Sequence, residues 1–133
     1  MITANCCSAQ KQLLSYQDLQ YIIQNNTAAV TGFLQQKDYR LQNSGNGQTR
    51  FYGLIADDDY NDFNFSTQGK HNTVTLLTTD TQQIEIIENS LKNYTYKNTK
   101  NGKAYRIKND VISAISIKPP ADAQKIYTVL FEN

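Results

Sequence analysis

Asp57, Asp59 and Asn61 hold the first, third and fifth places of an acidic knuckle, Asp57-Asp58-Asp59-Tyr60-Asn61-Asp62, with the oxygen spacing of a calcium loop. The pattern then breaks. Asp62 stands at the sixth place, where the loop turns on a glycine, and Gln68 at the twelfth, where a bidentate glutamate closes the shell. The knuckle reads as a metal loop, as a contact point for a partner (Asp57, Asp58, Asp59, Tyr60 and Asp62), or as a solvated hairpin tip; the expectation adopted is no metal and no cofactor.

A second group is basic. Lys92, Lys97, Lys100, Lys103, Arg106 and Lys108 are interleaved with Tyr94, Tyr96 and Tyr105. Cations beside stacking rings suit single-stranded nucleic acid. They equally suit an exposed strand pair whose lysines block edge-to-edge association. Catalytic chemistry finds less support. His71 is the single histidine, in a turn between Lys70 and Asn72. No serine sits in a glycine elbow, no histidine pair offers to hold zinc, and no spacing selects one pair of carboxylates. Gly45-Asn46-Gly47 has no helix behind it and so does not cradle phosphate. The chain is expected not to be an enzyme.

The elements that must position these groups follow from composition and period. A chain of 133 residues is one domain by size, with 39% hydrophobic and 19% charged residues and a net charge of +1. That charge excludes a strong global field for nucleic acid, and no run approaches the roughly 18 apolar residues of a membrane span. Nine tyrosines with no tryptophan suit a sheet with an uncharged polar surface.

Cys7-Ser8-Ala9 ends like a secretory leader, although no basic region precedes it, so residues 1–10 are expected to be a leader remnant. The resulting location is periplasmic or secreted, with a cytoplasmic start at Met1 the alternative. Cys6 and Cys7 are adjacent, a geometry that disfavours a bridge between them. Lipid attachment at Cys6 is disfavoured by Asn5, where a small residue is expected.

Ser15 followed by Asp18 resembles a capping box, and Leu19, Ile22, Ile23, Val30, Phe33 and Leu34 form one apolar stripe. A helix is predicted from Tyr16 to Gln36, with a kink or break at Asn25-Asn26-Thr27. A second helix, capped by Asp80 or Thr79, carries Ile84, Ile87 and Leu91. Elsewhere the period is two. Strands are predicted at 39–41, 50–56, 61–67 and 73–78, and again at 94–98, 103–108, 112–117 and 125–131.

Leu34, Tyr39 and Asn46-Gly47 are echoed by Leu91, Tyr96 and Asn101-Gly102. The expected fold is α+β: two helix-plus-four-strand repeats (15–79 and 80–131) within one domain (11–133), about eight antiparallel strands in one sheet and two helices on one face. On this repeat the chain resembles tandem helix-plus-four-strand proteins such as the beta-lactamase inhibitor protein and, more distantly, the saddle of the TATA-binding protein. It also resembles small exported bacterial proteins that serve as inhibitors or immunity proteins. The resemblance lacks the inhibitor's disulfides and transfers no binding residue. It implies a protein-binding domain that occludes a partner with a sheet surface; the contact residues expected from the sequence itself are the knuckle and Tyr96, Lys97, Lys100, Lys103, Tyr105 and Arg106. The alternative is a small-ligand or nucleic-acid module built on the basic hairpin. No partner is identified by sequence, and the oligomeric state is open.

Overall fold

Ser15 and Asp18 close a capping box at the start of helix α1 (Tyr16–Ile23). The Ser15 hydroxyl accepts the Asp18 N–H at 3.1 Å, and the Asp18 carboxylate accepts the Ser15 N–H at 2.9 Å. The computed structural model describes residues 11–121 and 123–133; the leader-like segment 1–10, with Cys6 and Cys7, lies outside the described residues. The helix predicted from Tyr16 to Gln36 divides in the middle. Asn26 adopts extended backbone, and its side chain accepts the Ala29 N–H at 2.9 Å, capping a separate helix α2 (Thr27–Gln36). An asparagine that satisfies backbone donors with its own side chain starts a helix better than it continues one. The described residues therefore form three helices where two were expected. The third, α3 (Thr81–Leu91), starts at Asp80, whose carboxylate accepts the Gln82 N–H at 2.7 Å.

Four strands follow α2: β1 (Arg40–Gly45), β2 (Gln48–Ala56), β3 (Asp59–Gln68) and β4 (His71–Thr78). Four more follow α3: β5 (Tyr96–Thr99), β6 (Gly102–Arg106), β7 (Ala114–Lys118) and β8 (Tyr127–Glu132). All join one antiparallel sheet in the order β1-β2-β3-β4-β8-β7-β6-β5, so the class is α+β. Each half contributes a meander, and the meanders meet where Thr73–Thr78 of β4 pairs with Tyr127–Glu132 of β8.

Turn chemistry sets the hairpins. Asn46 and Gly47 take φ of 55° and 76°, the pattern of a two-residue primed turn, with Gly45 already paired to Gln48. At the β5–β6 turn Gly102 has φ of 94°, and a Cβ there would overlap the Ile117 carbonyl oxygen. Only glycine fits both constraints.

Strand alternation assigns the faces. Phe51, Phe63, Phe65, Val74, Leu76, Ile115, Ile117, Val129 and Phe131 point to the helices and merge with Leu19, Ile22, Ile23, Val30, Leu34, Ile87 and Leu91 in one core. A fully buried side chain of this kind contributes about 2–3 kcal/mol. Tyr39 and Tyr96 follow Leu34 and Leu91 at equal spacing but differ in fate: Tyr39 is buried at 3% exposure, Tyr96 stands 45% exposed at the sheet edge. The Tyr39 ring lies against Gly53, where a Cβ would come within 2.8 Å of it.

A polar chain runs through this core. Asn61 donates from Nδ2 to the Tyr39 hydroxyl and to Gln83 Oε1, each at 2.9 Å, and Tyr39 donates to the Gln12 carbonyl at 2.7 Å. These bonds tie β3, α3 and the segment before α1 together, with Asn61 Oδ1 buried beside them and without a hydrogen-bond partner among the described residues. Among the described residues no helix is long and apolar enough to cross a membrane.

Candidate functional site

With the helices on one side, the outward residues of every strand form a second face. Pairing registers line them up in rows. One row runs Arg50–Asn64–Thr75–Leu130–Ser116–Ala104–Lys97, and another Arg40–Tyr52–Asp62–Leu77–Thr128–Lys118. Leu54 and Leu130 stand 53% and 39% exposed on this face. Tyr52 and Tyr60 stack there, with centroids 5.4 Å apart and planes at 28°.

Four hollows open on this one face. The largest, about 670 Å³, lies over β5, β6 and β7 with Lys97, Ala104, Arg106 and Ala114 in its lining. A smaller one of about 120 Å³ continues from Ala104 and Ala114 to Ser116 and Leu130. At the other side of the sheet a hollow of about 600 Å³ is lined by Asp38, Arg40, Gln42, Tyr52 and Leu54. Between them one of about 300 Å³ holds Arg50, Asp62, Asn64 and Leu77. The small side chains Ala104, Ala114 and Ser116 create relief that larger residues would fill.

The charge of the face departs from that of the chain. Arg40, Arg50, Lys97, Arg106 and Lys118 point out of it against Asp62 and Glu132, with Asp38 in the hollow beside Arg40. Arg50 Nη2 binds Asp62 Oδ2 at 2.8 Å. Among the described residues the other four cations have no ion-pair partner. A nearly neutral chain thus gathers positive charge on one surface.

The residues singled out from sequence are dispersed by this geometry. Asp57 and Asp58 form the exposed β2–β3 turn, with Asp57 at φ 49°. Asp59 is engaged: its Oδ1 accepts from the Thr79 hydroxyl at 3.2 Å, and that hydroxyl accepts the Tyr60 N–H at 3.0 Å. Tyr60 and Asp62 belong to the open face. Across the sheet, Lys97 and Arg106 also belong to it, and Lys100 sits in the β5–β6 turn.

Tyr96, Lys103 and Tyr105 point the other way, toward the helices. Tyr105 is a core residue at 6% exposure, and burial pushes its hydroxyl pKa up. Tyr96 packs on it at 5.4 Å, and Lys103 Nζ stands 5.0 Å over the Tyr96 ring while reaching Glu88 at 3.9 Å. Adjacent residues on a strand face opposite sides, so Lys97 and Arg106 separate from Tyr96 and Tyr105, while Lys103 stays with the rings.

Sequence reasoning missed Leu54, Leu130, Tyr52, Ala104, Ala114, Arg40 and Arg50. Alternation with Phe51, Ile115 and Phe131 was the signal that could have placed most of them. His71 opens β4 and is exposed. Among the described residues no three His, Cys, Asp or Glu side chains converge. Asp110, in the β6–β7 loop, is the most elaborately held acid. Partial burial works against its charge, but bonds from Gln20, the Ile112 N–H, Tyr16 and the Val111 N–H outweigh it and hold the carboxyl below its ordinary value. It clamps α1 to that loop, away from the open face. Comparison with protein-family models, curated proteins and solved structures gave no match.

Proposed function

We propose that the chain is a non-enzymatic protein-binding domain, exported and of inhibitor or immunity type, that works by laying its helix-free sheet face over a partner and occluding it. The observation that carries this reading is that the four hollows, the exposed Leu54 and Leu130 and the Tyr52–Tyr60 stack all share one face. Apolar and aromatic anchors set among polar groups are what protein interfaces use. The likeness to the tandem inhibitor architecture is part of the proposal and rests on element order. The small-ligand alternative loses support because the hollows are open troughs rather than an enclosing pocket. The nucleic-acid alternative loses support because Lys97 and Arg106 lie on the face opposite the Tyr96 and Tyr105 rings, and Lys103, which stands beside those rings, reaches Glu88.

The test is site-specific photo-crosslinking in the native cells. A benzophenone side chain replaces Ser116 on the open face or, as control, exposed Gln17 on α1. A discrete crosslinked protein from the Ser116 position alone is the expected result. Crosslinks from both positions alike, from Gln17 alone or from neither would overturn the reading.

A further inference from the structure

Lys97, Arg106 and Leu130 mark one continuous trough on the open face. Lys97 pairs with Ala104, and Arg106 is two residues beyond Ala104 on the same strand, so the two cations are diagonal neighbours. Diagonal neighbours stand roughly 7–8 Å apart, a span that one carboxylate can bridge from between them. Neither cation has an ion-pair partner among the described residues. The trough floor is Ala104, Ala114 and Ser116, and its far end is Leu130. The register row Lys97–Ala104–Ser116–Leu130 crosses three strand spacings, roughly 14 Å at about 4.8 Å each. An extended chain covers that distance in about four residues, and residues four apart on a strand face the same way.

We infer that this trough takes an extended acidic segment of the partner protein, with an Asp or Glu against Lys97 and Arg106 and a large aliphatic side chain four residues away against Leu130. The inference rests on the protein-binding reading above and names the chemistry of the segment bound. Charge complementarity chooses the occupant. A phosphate backbone would need a track of cations, but the row next to the trough runs Arg106–Ala114–Glu132 and places an anion beside it. Tyr96 and Tyr105 also line the hollow, but their rings pack on each other on the helix side, with the strand parity opposite to Lys97 and Arg106. A protein carboxylate needs only the one notch.

The probe is a blocked peptide, Thr-Glu-Thr-Ser-Thr-Leu-Thr, titrated at millimolar concentration into ¹⁵N-labelled protein. The amides of Lys97, Ala104, Arg106, Ala114 and Leu130 are expected to shift. The peptide with Gln for Glu, and separately with Ala for Leu, should bind several-fold more weakly. The double variant K97E/R106E, altered only at exposed side chains, should bind about tenfold more weakly with an unchanged melting temperature. Shifts confined to other residues, no shifts, equal binding of the Gln peptide, or tighter binding of oligothymidylate at the same notch would overturn the inference. If the Ser116 crosslink forms while the peptide leaves the notch unshifted, the trough assignment fails and the protein-binding face stands. Loss of the crosslink removes the broader reading instead.

Discussion

The side-chain amide of Gln83 closes a ring with the backbone of Leu14, donating to its carbonyl and accepting its N–H, both at 2.8 Å. A helix of the second half thereby grips the segment that leads into the first helix. The same Oε1 also accepts from Asn61, so one fully buried glutamine serves three bonds.

Replacing Gln83 with Leu strands the Leu14 N–H and carbonyl and one Asn61 N–H in the core. Each buried unpaired group costs about 1–3 kcal/mol, so a loss of about 3–5 kcal/mol is expected in urea unfolding. Tyr39→Phe, which removes one hydroxyl from the same chain of bonds, should cost about 1–2 kcal/mol. Their effects should not add in the double variant, because both act on Asn61.

Glycine substitutions should act in opposite directions. Gly102→Ala drives a methyl into the Ile117 carbonyl oxygen at a positive φ and should prevent cooperative folding. Gly32→Ala lies in the interior of α2, where an added Cβ meets nothing within 4 Å. It should raise stability by about 0.5–1 kcal/mol, read as a higher melting temperature.

Stability should fall at both pH extremes for identifiable reasons. Asp110 has a lowered folded pKa, so its contribution is fully present above the ordinary carboxyl value of 3.8 and is lost as pH falls through the lowered one. Asp110→Asn should flatten the acid limb of a stability-against-pH curve. Tyr16 and Tyr39 have raised pKa values, chiefly through burial. Their contribution is complete below the ordinary tyrosine value of 10.0 and declines as pH rises from there toward the raised values. Tyr16→Phe should lessen the alkaline decline.

Three of the four knuckle aspartates, Asp57, Asp58 and Asp59, should separate. Asp58→Ala and Asp57→Asn change only the exposed turn, and the melting temperature should stay within a degree or so. Asp59→Ala breaks the bond to Thr79 and should cost about 0.5–1 kcal/mol. If the knuckle steers a partner, the first two lower the association rate measured by surface plasmon resonance while leaving dissociation unchanged.

Much of the fold was readable from residue order because period and turn residues act locally. The alternating Phe63 and Phe65, the Asn46-Gly47 turn and the Ser15–Asp18 box all formed as their chemistry requires. The same periods carried more than was taken from them. Gln83 is one turn before Ile87 and two before Leu91, on their buried stripe, and Asn61 alternates with Phe63. Polar type masked both as surface residues, and only the tertiary meeting with Tyr39 and Leu14 makes their burial affordable. The open face was harder to see. Two of its four hollows lie over Ala104, Ala114 and Ser116, side by side across β6 and β7, an adjacency set by cross-strand register that linear spacing does not reveal.

The position of β8 governs how the molecule can be made. It is the latest strand in sequence yet lies between β4 and β7, so until it emerges from the ribosome two bare sheet margins wait unsatisfied. Vectorial synthesis therefore leaves a nascent chain able to recruit a foreign strand, and a block to translation after Pro120 would release an aggregation-prone fragment rather than a smaller working protein.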